Sequence, residues 1–109
     1  MDILPKDEDG VSLSNLRDQG SDLSKPMEID FFVAVPNTAI GEILKPIIEK
    51  LGFQCSLEQD EETKDWTLYC FIFVVPDYAT ILDIQVRLNE ISNPHNANCD
   101  GWGSYGNAN

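Results

Sequence analysis

The 109-residue sequence predicts an α+β domain in which strand, helix, strand, strand, helix and strand follow one another behind a short N-terminal helix. Three features predict it. Two long apolar stretches, Met27–Val35 and Trp66–Val75, carry the two-residue period of strands. Each is followed by a helical stripe, over 38–51 and 77–91. Between the halves, Phe53–Glu58 alternates apolar and polar residues and runs into a polar turn, which is a hairpin signature. Adjacent pairing and right-handed crossovers convert that order into a ferredoxin-like sandwich (βαββαβ): a four-stranded antiparallel sheet with the first and third strands central and two helices on one face. The expected division is an N-terminal helix and connector over 1–24, the ferredoxin-like domain over 25–106 and a short polar tail over 107–109.

Residues 7–20 fit a short helix. Asp7, Glu8 and Asp9 suit the positive end of its dipole, Val11, Leu13 and Leu16 form a narrow apolar edge, and Gly20 can stop it after Arg17. A turn-rich connector, Gly20–Pro26, leads into the first strand. There Met27, Ile29, Phe31, Val33 and Val35 make a wholly apolar side, and Glu28, Asp30, Phe32 and Ala34 a partly wet one. Asn37 or Thr38 can cap the next helix, whose stripe is Ala39, Ile40, Ile43, Leu44, Ile47, Ile48 and Leu51. Pro46 falls on its solvent side with Glu42, Lys45 and Glu49, which predicts one kinked helix and not two. Gly52 ends it.

Phe53–Glu58 reads as an edge strand with a polar outer side, and Gln59–Asp65 as a hairpin loop. The charge-free strand that follows is apolar on both faces, so both need cover. Leu68, Cys70 and Ile72 go to the helix-covered core, and Tyr69, Phe71 and Phe73 join Phe32 on the other side. Asp77 caps a second helix that presents Tyr78, Ile81, Leu82, Ile84, Leu88 and Ile91, and Ser92–Asn96 breaks it. A last strand is expected through Cys99–Tyr105. Its glycines, 101 and 103, leave room for a neighbouring backbone, while Trp102 either anchors the core or marks an interface, with local packing favoured.

With 19 acidic residues against 7 basic ones the formal charge is -12. Such a surface repels phosphate backbones and favours basic protein segments. Cys55, Cys70 and Cys99 form no Cys-x-x-Cys pair and read as reduced, mostly buried thiols. The first nine residues contain no apolar signal core, and no run approaches the roughly 18 apolar residues a membrane helix needs. The expected location is therefore the cytoplasm, away from the membrane.

Catalytic chemistry finds little support. The one histidine, His95, follows a proline in a loop, with nothing local to pair it with a nucleophile. His95, Cys99 and Asp100 lack a second ligand pair, and Asp60, Glu61 and Glu62 lack the alternating oxygens and glycine of a calcium loop. No glycine-rich phosphate loop precedes a helix. No catalytic residue, metal or cofactor is expected. The aromatics of the uncovered face are the alternative source of function. Their placement resembles that of the RNA-recognition fold, which stacks bases on its middle strands, although no Lys, Arg or Gly lies between Trp66 and Val75. A patch of that size calls for a cover: the N-terminal helix, the second subunit of a homodimer, or a partner.

Two stretches together resemble a known family. Gly20–Pro26 running into Met27–Phe31, and the closing Asp100-Gly101-Trp102-Gly103-Ser104-Tyr105, are similar to the domain called regulator of ribonuclease E activity B, over about residues 10–106. The resemblance implies a ferredoxin-like domain without catalysis. The family's characterised bacterial member binds the ribonuclease that initiates messenger RNA decay, at its non-catalytic scaffold region, and lowers its activity. That member carries an acidic tail after the tryptophan motif, whereas the acids here lie within the domain and near the start. By resemblance the expected function is a non-enzymatic protein-binding regulator of RNA turnover with a ribonuclease E-like partner. The expected contact residues are Phe32, Tyr69, Phe71, Phe73, Trp102 and Tyr105, with Glu28 and Asp30. The alternative is a single-stranded RNA-binding domain that uses the same open face, with no direct nucleic acid expected in the first case.

Overall fold

A four-stranded sheet with every neighbouring pair antiparallel forms the centre of the molecule, in the order β2-β3-β1-β4. The computed structural model describes residues 7–107; the first six residues of the N-terminal segment and the last two of the expected polar tail lie outside the described residues. The elements are α1 (Glu8–Asp18), β1 (Met27–Val35), α2 (Thr38–Glu49), β2 (Gln54–Gln59), β3 (Trp66–Val74), α3 (Tyr78–Ser92) and β4 (Asn98–Gly103), with a 3₁₀ turn at Asn93–His95 before β4. The result is an α+β fold of three helices and one open sheet.

Local chemistry sets each boundary. Asp7 caps α1, its Oδ1 accepting from the Gly10 N–H at 2.8 Å. At the other end the Gly20 and Ser21 N–H groups bond back to the carbonyls of Arg17 and Leu16, with Gly20 at φ 102°. This pairing closes the orphan carbonyls and needs a residue tolerant of positive φ. Asn37 caps α2 by accepting from the Ile40 N–H at 3.0 Å. The α2 helix runs unbroken through Pro46, which is exposed, so water can reach the freed Glu42 carbonyl. Asp77 occupies the cap position of α3 without a side-chain bond to the helix.

The core lies between the sheet and its helices. Met27, Ile29, Phe31, Val33, Leu68 and Cys70 supply the sheet side, against Leu44 and Ile48 of α2, Ile81 and Leu88 of α3, and Leu16 of α1. Two predicted helix stripes differ from the buried faces observed. Val11 is 49% exposed, and α1 buries Gly10, Leu13 and Leu16 instead. In α2 the inward residues are Gly41, Leu44 and Ile48, while Ala39, Ile43, Ile47 and Leu51 are exposed. Gly41 explains the shift: a Cβ there would stand 2.6 Å from Leu57 Cδ1, so the helix settles onto β2 at its glycine.

The N-terminal helix occupies a different place from one of those expected for it. It packs beside α3. The Tyr78 hydroxyl donates to the Asp7 carboxylate, and Gln85 Nε2 donates to Asp9 Oδ1 at 3.2 Å. The Trp102 Nε1–H also donates to Asp9 Oδ1, at 2.7 Å. Because Trp102 pairs in register with the buried Phe31, its side chain lies on the core side of the sheet. The helix therefore joins α2 and α3 on one face, and among the described residues no helix covers the second.

Candidate functional site

The open face is built by strand register. Tyr69 lies opposite Phe32, Phe71 opposite Asp30 and Phe73 opposite Glu28 across β3 and β1. On the outer side, Gln54 stands beside Phe71, Ser56 beside Tyr69 and Glu58 beside Thr67. Paired residues of antiparallel strands share a face, so these rows form one surface. Sequence reading placed Phe32, Tyr69, Phe71, Phe73, Glu28 and Asp30 together, and the structure brings all six together. It missed the contribution of β2, whose polar outer side was legible but whose register was not.

Two of the rings support each other. Phe32 and Tyr69 meet edge to face, with centroids 5.6 Å apart and planes at 78°. Phe32 also leans over Gly103, where a Cβ would sit 3.4 Å from its Cζ. The glycine thus makes room for a ring and not for the neighbouring backbone that the sequence led us to expect. Gly101 does something else. The β1–β4 register shifts between Phe31 and Val33, so Asp100 and Gly101 both fall opposite Phe32, and Gly101 takes φ 135° within this bulge. Phe73 is 69% exposed and is the most open ring of the four.

Charge on the face has one sign. None of the four strands contains Lys or Arg. Asp30 is held above the ordinary carboxylate value, first by partial burial and then by repulsion from Glu28. A cation brought to this face would stabilise the charged carboxylate by attraction, whereas a phosphate would add to the repulsion.

The two other residues expected at the contact, Trp102 and Tyr105, lie apart from this group. Trp102 faces the core beneath α1, so it is a packing residue and does not extend the aromatic rows. Tyr105 is fully exposed just past β4. Its neighbour Ser104 donates to the Glu28 carbonyl at 2.7 Å, which pins this end of the chain near the Glu28 end of β1. His95 lies in the 3₁₀ turn. Among the described residues, no group of three His, Cys, Asp or Glu side chains is placed to hold a metal ion, and no helix is long and apolar enough to cross a membrane. The cysteines are unbridged, with Cys70 buried and Cys55 and Cys99 partly so.

Fold and face together define, among the described residues, an α+β fold that keeps its helices on one side of an antiparallel sheet and leaves aromatics and acids on the other. Within that class the chain belongs to the regulator of ribonuclease activity B family, whose model matches residues 6–104. The match includes the Gly20–Phe31 stretch and the Asp100-Gly101-Trp102-Gly103-Ser104 ending. No curated protein matches the chain. Family membership connects it with the regulation of ribonuclease activity.

Proposed function

We propose that the chain is a non-enzymatic adaptor that regulates RNA turnover by docking a basic segment of a ribonuclease E-like protein on its open sheet face. The observation that carries this reading is the single sign of that face: partly exposed rings and the open Phe73 lie among Glu28 and Asp30, with no cation in any strand. Guanidinium and ammonium groups gain there from carboxylates and from ring faces, and the partner's apolar stems cover the rings. The strand order and antiparallel pairing support placing the domain in the ferredoxin-like class, with docking at the face opposite its helices.

The test is titration of the full chain against a purified basic scaffold segment of ribonuclease E at several salt concentrations. Association that weakens with salt, and drops more than about 10-fold for Phe71→Ala or Phe73→Ala, supports the reading. Salt-independent association indifferent to both substitutions refutes it. A second reading is favoured by the exposure of Phe73 beside Phe71 and Tyr69: single-stranded RNA stacked on these rings. Tight RNA binding lost in Tyr69→Ala, with no binding to the protein segment, would select it.

A further inference from the structure

The thiols of Cys55 and Cys70 face each other across β2 and β3, on the side of the sheet opposite the aromatic rows. Register pairs the two residues directly, and their sulfurs are 3.9 Å apart. Directly opposed residues in an antiparallel pair hold their Cα atoms about 4.5–5.5 Å apart. A disulfide bridges Cα separations of roughly 4.4–6.8 Å, so a small rotation of the side chains suffices and the strands need not part.

The two thiols differ in access and in surroundings. Cys70 is 0% exposed, and its Sγ–H can donate to the Leu68 carbonyl at 3.6 Å. Cys55 is partly exposed on the edge strand, near Lys45 and Glu49 of α2. The Cys55 thiol is held below its ordinary value chiefly by hydrogen bonding with Cys70, while the same contact and burial push Cys70 up. An accessible thiol that ionises first, beside a buried one that does not, is the arrangement of an attacking and a resolving cysteine. Cys99 is excluded from the pair, because it sits on β4 against Val33, with β1 and β3 between it and Cys55.

We propose that Cys55 and Cys70 form a reversible thiol–disulfide site, with Cys55 as the attacking sulfur, Cys70 as the resolving one and a small hydroperoxide as oxidant. The Cys55 thiolate attacks the terminal peroxide oxygen, the O–O bond breaks, and the leaving oxygen takes a proton to depart as water or an alcohol. Cys55 is then a sulfenic acid. Cys70 Sγ attacks Cys55 Sγ, the S–S bond forms as the S–O bond breaks, and the hydroxyl leaves with the Cys70 proton as water. Two electrons pass from the thiols to the peroxide. An external dithiol reverses the link by exchange and is itself oxidised. The link staples the edge strand to β3 directly behind Tyr69 and Phe71.

The test treats the folded full chain with a small excess of hydrogen peroxide, alkylates remaining thiols in denaturant and maps the peptides by mass spectrometry. The expected result is one alkylated cysteine, Cys99, a Cys55–Cys70 linked peptide, and three alkylated cysteines again after dithiothreitol. Cys99→Ser should still form the link, and the partly exposed Cys55→Ser should leave Cys70 reduced. Three alkylatable thiols after peroxide, a link that includes Cys99, or Cys55 driven to sulfinic acid without a link would each overturn the proposal.

Discussion

Trp102 donates its indole N–H to Asp9 at 2.7 Å, joining the last strand to the first helix across 93 positions of sequence. The same oxygen accepts from Gln85 of α3, so one carboxylate ties three elements together. Trp102→Phe keeps most of the ring and removes the donor. It should cost about 1–2 kcal/mol in urea unfolding, and Asp9→Ala should cost little more once Trp102 is already Phe. Additive losses would mean that the two residues act separately.

Leu13 tests whether the N-terminal helix belongs to the core. It is 0% exposed on α1, and Leu13→Ala should destabilise the whole chain by about 2–4 kcal/mol in a single cooperative transition. Loss of α1 alone, with the sheet unfolding unchanged, would contradict its integration.

Gly101 is fixed by its backbone. At φ 135° within the bulge, Gly101→Ala should cost about 1–3 kcal/mol although open space surrounds the position. An unchanged melting temperature would show that the bulge can relax.

Asp30 predicts a stability that depends on pH in a definite direction. Its folded value is raised, so the folded state binds the proton more readily and the ionised form opposes folding. That opposition is absent below the ordinary value of 3.8, where the group is protonated in both states, and grows as pH rises through the folded value. Asp30→Asn should therefore melt higher than the parent at pH 7, with the difference shrinking as pH falls towards 3.8. Thermal melts across that range check the sign. The same variant should bind a basic partner less tightly.

Phe73 separates stability from recognition. With 69% of its surface exposed, Phe73→Ala should change unfolding free energy by no more than about 0.5 kcal/mol. Phe32→Ala removes the edge-to-face pair with Tyr69 and should cost about 1 kcal/mol or more. Chemical denaturation distinguishes the two.

The central strands were legible because their periodicity and their burial coincide: Met27–Val35 buries every second residue, as its sequence announces. The six residues of the open face followed from the same period. Helix faces were less legible, since the spacing of isoleucines in α2 cannot reveal that Gly41 meets Leu57. The side taken by α1 was hidden for a related reason. It depends on Asp9 and Trp102, whose partnership spans nearly the whole chain and leaves no local pattern. Registers of β2 and β4, which complete the face and carry the bulge, are likewise set by pairing between strands and not by either strand alone.

The bulge at Asp100 and Gly101 has a consequence for the sheet's two margins. An extra residue on β4 breaks the regular sequence of outward amide and carbonyl groups, so another extended chain finds no continuous ladder to join there. The β2 margin keeps a regular six-residue run against β3, with Glu58 near its end as the principal deterrent. Sheet growth, whether by stray aggregation or by an added strand, is thereby biased to the β2 side.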